Sequence, residues 1–209
     1  MVQKRKHRWG NTLPEGAEHA RDLLLDAAER CFERWGPAKT SLEDIAAEAH
    51  VSRVTVYRYL GSRADLFIAL AIRKLHRAHD RKVGRDQPAA LALADFLLLG
   101  RDFVQSYAEP GLVDILATSS ELTEHSREGY LEWLQEMRSR GEVRDDIDLH
   151  DAVDWVLWMR TAVWSDATTD RGHLAHLLTR YFAPTVTTAP APAAAAAGGR
   201  RPAKRTLKP

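Results

Sequence analysis

Between Ala20 and Trp35 the apolar residues Leu24, Ala27, Ala28, Cys31, Phe32 and Trp35 fall three and four apart. That repeat lines one face of an α-helix, and Gly36-Pro37 is its stop. A second apolar stripe, Leu42, Ile45, Ala46 and Ala49, follows Thr40-Ser41-Leu42-Glu43. The spacing fits a capping box in which Thr40 accepts from the third amide and Glu43 reaches back to the cap. Ser52 is placed to cap a third short helix whose inward pair is Val56 and Leu60. Gly61 ends that helix, and Ser62-Arg63-Ala64-Asp65 repeats the capping pattern before Leu66, Leu70 and Ile72 lead a long helix to about Lys82. Further helices are predicted at 89–108, 111–118, 121–140, 149–166 and 171–182, with Asp148 as a cap and Gly141 and Gly172 as ends or breaks.

Composition strengthens the helical reading. Leucine and alanine number 56 against 17 for isoleucine and valine, and only Pro88 and Pro110 interrupt the stretch from Ala38 to Ala183. The fold class expected is all-α, in a chain of 209 residues that is long enough to bury a substantial core. From Pro184 onward the sequence shifts to Ala, Pro, Gly, Thr and basic residues, too small and polar for a core, so residues 184–209 are expected to be disordered. The net charge of +1 conceals an asymmetry: the first ten residues carry +4, the tail from Arg200 carries +5, and the middle carries −8. Residues 1–17 read as a basic flexible arm, and both charged ends suit either added contact with DNA phosphates or simple solvation. No apolar run approaches a membrane span and no apolar segment follows the basic start, so a cytoplasmic protein is expected. The lone Cys31 cannot form an internal disulfide and reads as core packing.

Two short helices joined at Ala49-His50-Val51-Ser52, behind a longer supporting helix, have the arrangement of a helix-turn-helix, whose second helix enters the DNA major groove. With Val56 and Leu60 inward, Arg53, Val54, Thr55, Tyr57 and Arg58 are left pointing outward or sideways. From His50 to Ala64 there are three arginines and no acid. Arg53 is the candidate for a guanine edge, which a guanidinium can meet with two donors, and Val54 for a thymine methyl.

The stretch Thr40-Ser41-Leu42-Glu43-Asp44-Ile45-Ala46, followed by Val51-Ser52-Arg53-Val54-Thr55-Val56-Tyr57-Arg58-Tyr59-Leu60-Gly61-Ser62-Arg63, resembles the DNA-binding domain of the TetR/AcrR family of bacterial transcriptional regulators. The resemblance covers about residues 20–67. It departs at His50, where the family usually has glycine at a turn position that often needs positive φ. It implies that Thr55, Tyr57 and Tyr59 hold phosphates. Thr40, Ser52, Arg58 and Arg63 complete the expected DNA contacts, Arg63 from the first turn of the fourth helix. The plainer reading is a small helical bundle with an amphipathic surface.

The resemblance also sets the domain plan: a three-helix DNA-binding domain at 18–64 and a helical ligand-binding and dimerisation domain at 65–183. Readers of this kind bind double-stranded operator DNA as two-fold dimers, so a homodimer is expected. Its interface is assigned to the last two helices, through Ala152, Val153, Val156, Leu157 and Met159, then Leu174, Leu177, Leu178 and Tyr181. In the family the middle helices enclose a small-molecule effector. Candidates here are Phe103, Tyr107, Tyr130, Trp133, Met137, Trp155 and Trp158, with Trp164 beside them, although aromatics at helical spacing equally fill a core.

The pairs His76 with His79 and His173 with His176 lack a third ligand, so no metal site is expected, and no cofactor. No phosphate loop or nucleophile-and-base signature is present, and an enzyme is not expected. The function implied is a ligand-responsive repressor acting on a palindromic operator. Its alternatives are a regulator controlled by a partner protein, or a helical enzyme or binding protein with a degenerate helix-turn-helix.

Overall fold

The computed structural model describes residues 14–80, 87–107 and 109–188. Among them the chain runs through α1 (Ala17–Trp35), a 3-10 turn (Pro37–Lys39), α2 (Leu42–Glu48), α3 (Arg53–Leu60) and α4 (Arg63–Asp80). It continues with α5 (Ala89–Tyr107), α6 (Leu112–Thr118), α7 (Ser120–Ser139), α8 (Leu149–Ser165) and α9 (Arg171–Leu177). A π-helical turn (Leu178–Phe182) then leads into α10 (Ala183–Val186). The all-α expectation holds. The basic arm up to residue 13, the end of the long helix at Lys82 and the tail from residue 189 lie outside the described residues.

Capping side chains set most of the helix starts. Ser52 Oγ accepts from the Thr55 amide at 3.2 Å, and Asp148 accepts from the His150 amide at 2.7 Å. Ser62 and Asp65 form the reciprocal box expected for α4, at 2.7 Å and 3.3 Å. For α2 the box lies one residue later than expected, since Ser41 Oγ accepts from the Asp44 amide at 3.2 Å while Asp44 accepts from the Ser41 amide at 2.8 Å. Both Thr40-x-x-Glu43 and Ser41-x-x-Asp44 satisfy the spacing. Tertiary burial decides between them, because Thr40 is 2% exposed and its hydroxyl donates instead to the Gly36 carbonyl at 2.9 Å. Gly172, expected to end or break a helix, lies within the first turn of α9, which Asp170 caps at the His173 amide.

Two apolar clusters hold the molecule together. The first joins Leu24, Phe32, Ile45, Val56, Phe67 and Leu70 of α1 to α4, then continues into Phe103, Leu112, Leu116, Leu122 and Trp164. The second joins Leu93, Leu97, Trp133, Leu134, Val153, Val156, Leu174 and Phe182 of α5, α7, α8 and the last helical segments. Leucine and alanine let these helices approach closely, and side chains of this size each stabilise by about 1.5–3 kcal/mol when fully buried. The amino-terminal cluster therefore reaches the second half of the chain, through α4 and through Phe32 of α1 against Tyr107 of α5. Cys31 packs within the first cluster, 1% exposed, and burial pushes its thiol pKa up. Trp35, expected on the same buried face, is 43% exposed, with the Arg34 guanidinium 5.2 Å from its ring. The segment expected to be disordered from 184 begins instead with ordered chain: Thr187 makes an antiparallel bridge to Val143, and the Arg144 amide donates to the Val186 carbonyl at 3.0 Å.

Candidate nucleic-acid interface

Two buried side chains orient α3. Val56 is 0% and Leu60 2% exposed, four residues apart and locked against the α1–α2 core. The opposite face is consequently solvent-facing: Arg53, Tyr57 and Arg58 are exposed, and Val54 is 75% exposed. A β-branched apolar residue held this far into water contributes nothing to the fold of the free chain.

The turn entering α3 is fixed by backbone geometry. His50 has φ 54°, and its amide donates to the Ala47 carbonyl at 3.1 Å while the Val51 amide donates to Ala46 at 2.9 Å. A non-glycine residue in this left-handed region costs roughly 1–2 kcal/mol, so the turn geometry is retained against strain. The departure from glycine at this position therefore leaves the expected turn conformation in place.

Arg53 is engaged at both ends of its guanidinium. Its Nε lies 2.7 Å from Glu43 of α2, and its Nη2 donates to the Tyr57 hydroxyl at 3.1 Å. The Tyr57 hydroxyl first, and then the Glu43 carboxylate, raise the pKa of Arg53 above its ordinary value. Glu43 lies outside the acid-free stretch from His50 to Ala64, and its place beside Arg53 depends on the docking of α2 against α3. Arg58 lies over the Tyr59 ring at 4.6 Å, and Thr55 Oγ1 shares a 2.9 Å hydrogen bond with Ser52 Oγ. Together Ser52, Arg53, Val54, Thr55, Tyr57, Arg58 and Tyr59 are gathered on or beside the exposed side of one helix.

Two of the expected contacts are placed elsewhere. Thr40 is buried beneath α2. Arg63 turns toward the rest of the molecule: Nε and Nη2 donate to the two oxygens of Glu109, each at 2.8 Å, Nη1 donates to the Thr40 carbonyl and Nη2 to the Pro37 carbonyl, both at 2.7 Å. Its guanidinium also covers the Phe67 ring at 5.1 Å. With its donors committed in this way, Arg63 joins the loop before α2, the start of α4 and the α5–α6 connection.

The expected effector residues divide three ways. Tyr130 lines a cavity of about 210 Å³ between α4, α5 and α7, and Phe103 lines two further hollows beside Lys74, of about 20 and 310 Å³. Tyr107 packs edge-on to Phe103, Phe67 and Phe32, and Trp133 and Met137 are core side chains, 4% and 2% exposed. Trp155 and Trp158 do not face the interior. Trp155 stacks on Phe182 and is 40% exposed, and Trp158 is 78% exposed, because α8 turns them away from α5 and α7.

The expected dimer stripe is divided. Ala152, Val153, Val156, Leu157, Leu174 and Leu178 are buried in the chain's own core and Met159 is half-buried, whereas Leu177 and Tyr181 of that stripe stand exposed together with Trp155 and Trp158. Among the described residues no group of three His, Cys, Asp or Glu side chains is placed to hold a metal ion, and no helix is long and apolar enough to cross a membrane.

Comparison with known proteins agrees with the geometry of the amino-terminal helices. The family described as bacterial regulatory proteins, tetR family, matches residues 24–70, from the middle of α1 into α4. The HTH-type transcriptional regulator TtgR of Pseudomonas putida is 41% identical over 66 residues, which are 32% of this chain and 31% of that protein. The match thus spans about a third of the length of this curated relative. In overall fold the chain is similar to the TetR family repressor AlkX from Dietzia sp., at a TM-score of 0.55 and 24% identity, covering 78% of this chain and 93% of that one. It is also similar to the ligand-free structure of RolR, at a TM-score of 0.55 and 16% identity over 76% of this chain and 88% of that one. The strained turn, the capped α3 and the start of α4 all lie inside the segment that matches the tetR family of bacterial regulatory proteins.

Proposed function

We propose that the chain is a homodimeric transcriptional repressor that seats two copies of α3 in successive major grooves of a palindromic operator. It releases the operator when a small molecule occupies the second domain. The observation that carries this reading is the outward face of α3, where Arg53, Val54, Tyr57 and Arg58 are exposed around a helix whose opposite side is fully buried. Arg53 is the base-reading donor and Val54 the apolar contact to a thymine methyl. Ser52, Thr55, Tyr57, Arg58 and Tyr59 position the helix through phosphates, which carry affinity but no sequence information.

The exposed patch of Trp155, Trp158, Leu177 and Tyr181 supports pairing through α8 and the end of the chain. Such a patch is costly in water and is covered when two copies meet. The cavity between α4, α5 and α7 supports an effector site, since α4 forms one of its walls and also carries the DNA-binding helices. An effector acts by binding more tightly to the arrangement in which the two α3 helices are misplaced for the operator.

The test is a selection of bound fragments from genomic DNA by the full chain, followed by titration of the enriched site and of its scrambled version. A palindromic site bound at least a thousandfold more tightly than the scrambled DNA is expected, within the usual range of specificity ratios. Equal affinity for both, or no binding at low salt, refutes the reading.

A further inference from the structure

Among the arginines of the described residues Arg160 is set apart by its burial. It projects inward from α8, 3% exposed, with its guanidinium 4.8 Å from the Trp164 ring. Its donors reach only neutral groups: Nη1 meets Ser126 Oγ at 3.0 Å and Nη2 meets Thr123 Oγ1 at 3.3 Å. Nε has no partner, and among the described residues no carboxylate lies within ion-pair distance. By contrast Arg73, also largely covered, meets both Asp26 and Glu29 at 2.7 Å.

A guanidinium taken out of water without a counter-charge costs several kcal/mol, and the surroundings recover that only when a negative group completes them. Burial lowers the pKa of Arg160, in keeping with an uncompensated charge.

Arg160 does not itself line the cavity, and Ser126, its hydrogen-bond partner, does. Ser126 accepts from Arg160 and donates to the Leu122 carbonyl at 2.8 Å, and both Ser126 and Tyr130 line the 210 Å³ cavity. Leu75 and Phe96 add apolar wall. The carboxylates of the cavity, Glu128 and Glu132, are exposed at its rim, where Glu132 is 3.3 Å from His79. The rings of His76 and His125 sit 5.3 Å apart on the same lining. The negative side chains of the lining are therefore in water, and a buried positive charge stands behind Ser126.

We infer that the cavity between α4, α5 and α7 binds a small organic anion, a carboxylate on one aromatic ring or a short hydrocarbon chain, and that Arg160 behind Ser126 supplies its counter-charge. This rests on the proposed effector role of the second domain and names the class of ligand that fills it. The size agrees, since a cavity of roughly 150 Å³ accommodates a benzene ring. The apolar walls select against an inorganic ion. A neutral ligand leaves Arg160 as uncompensated as before.

The experiment is titration calorimetry of the full chain with benzoate against benzamide and octanoate against octanamide, repeated on Arg160→Lys and Arg160→Met. In at least one pair the acid is expected to bind about tenfold or more tightly than its amide, the scale of a poorly screened charge pair separated by one hydroxyl group. Arg160→Lys keeps the preference and Arg160→Met loses it. Met is close in volume and uncharged, and thermal unfolding checks that this variant folds; if it does not, the comparison of acid with amide on the unaltered chain decides the matter.

Equal binding of acid and amide overturns the inference, as does failure of all four compounds to bind at millimolar concentration. Retention of the acid preference in a folded Arg160→Met overturns the assignment to Arg160. Release of the operator by the amides as readily as by the acids would leave effector control standing while removing the anion preference.

Discussion

Arg63 at the start of α4 and Glu109 between α5 and α6 face each other in a two-point ion pair, with both N–O distances at 2.8 Å. Forty-six residues separate them in sequence. The same guanidinium holds the carbonyls of Pro37 and Thr40, so one side chain ties the loop before α2 to the second half of the chain.

Removing this tie is expected to loosen the molecule without touching DNA. Glu109→Gln should lower stability by about 1–2 kcal/mol, the scale of a well-formed, partly covered charged hydrogen bond. The Arg63 guanidinium holds the Glu109 carboxyl below its ordinary value of 4.5. A carboxylate with a depressed folded pKa stabilises fully above its unfolded pKa, and that contribution is lost as pH falls through the folded value. Urea denaturation below pH 4.5 should therefore narrow the gap between the two proteins. For Arg63→Ala, a reduced stability with an unchanged salt dependence of DNA binding is expected. A salt slope flattened by about one unit would return Arg63 to the phosphate contacts.

Glu43 and Arg53 make the opposite kind of pair. Their side chains are 48% and 61% exposed, and an exposed pair contributes about 0–1 kcal/mol, so breaking it should leave stability nearly unchanged. Arg53→Ala should cost about 1–3 kcal/mol of operator affinity and relax preference at one base pair. Glu43→Gln should strengthen DNA binding, because it frees the guanidinium and removes an acid from the face that meets phosphates. Titrations across operator variants measure both; an intact base preference in Arg53→Ala would exclude that residue from base reading.

Gly100 sits in α5 beneath the Trp164 ring. A Cβ added there would clash with Trp164 Nε1, the atom that donates to the Leu97 carbonyl at 3.2 Å. Alanine is the better helix former by about 0.8–1.0 kcal/mol, yet overpacking of a filled core costs typically 1–3 kcal/mol. Gly100→Ala is therefore expected to destabilise, with a red shift of tryptophan emission as the indole moves. A gain in the unfolding midpoint would show that the indole repacks freely.

Trp158, 78% exposed on α8, is the most accessible part of the proposed dimer surface. Trp158→Glu should shift the sedimentation coefficient from dimer toward monomer and lower operator affinity with it, since each half-site then binds alone. A dimer of undiminished strength would move the interface off this face.

Much of this was legible in one dimension. Helical spacing at Leu24 to Phe32, at Val56 and Leu60, and along α4 depends only on the 3.6-residue turn, and local caps such as Ser52 and Asp148 act within three residues. Those features therefore fix α3 and its outward residues without reference to any long-range contact. Other assignments depended on long-range neighbours. Whether Thr40 or Ser41 caps α2 was settled by burial against the Gly36 carbonyl. The committed donors of Arg63 needed Glu109, and the position of Glu43 beside Arg53 needed the docking of α2 on α3. The rotation of α8 decided that Val153 and Val156 face inward while Trp155 and Trp158 face solvent. Periodicity specifies that a helix has an apolar side, but not which of two apolar sides meets its own chain; that choice, like the isolation of Arg160 from every described carboxylate, is made by packing between segments distant in sequence.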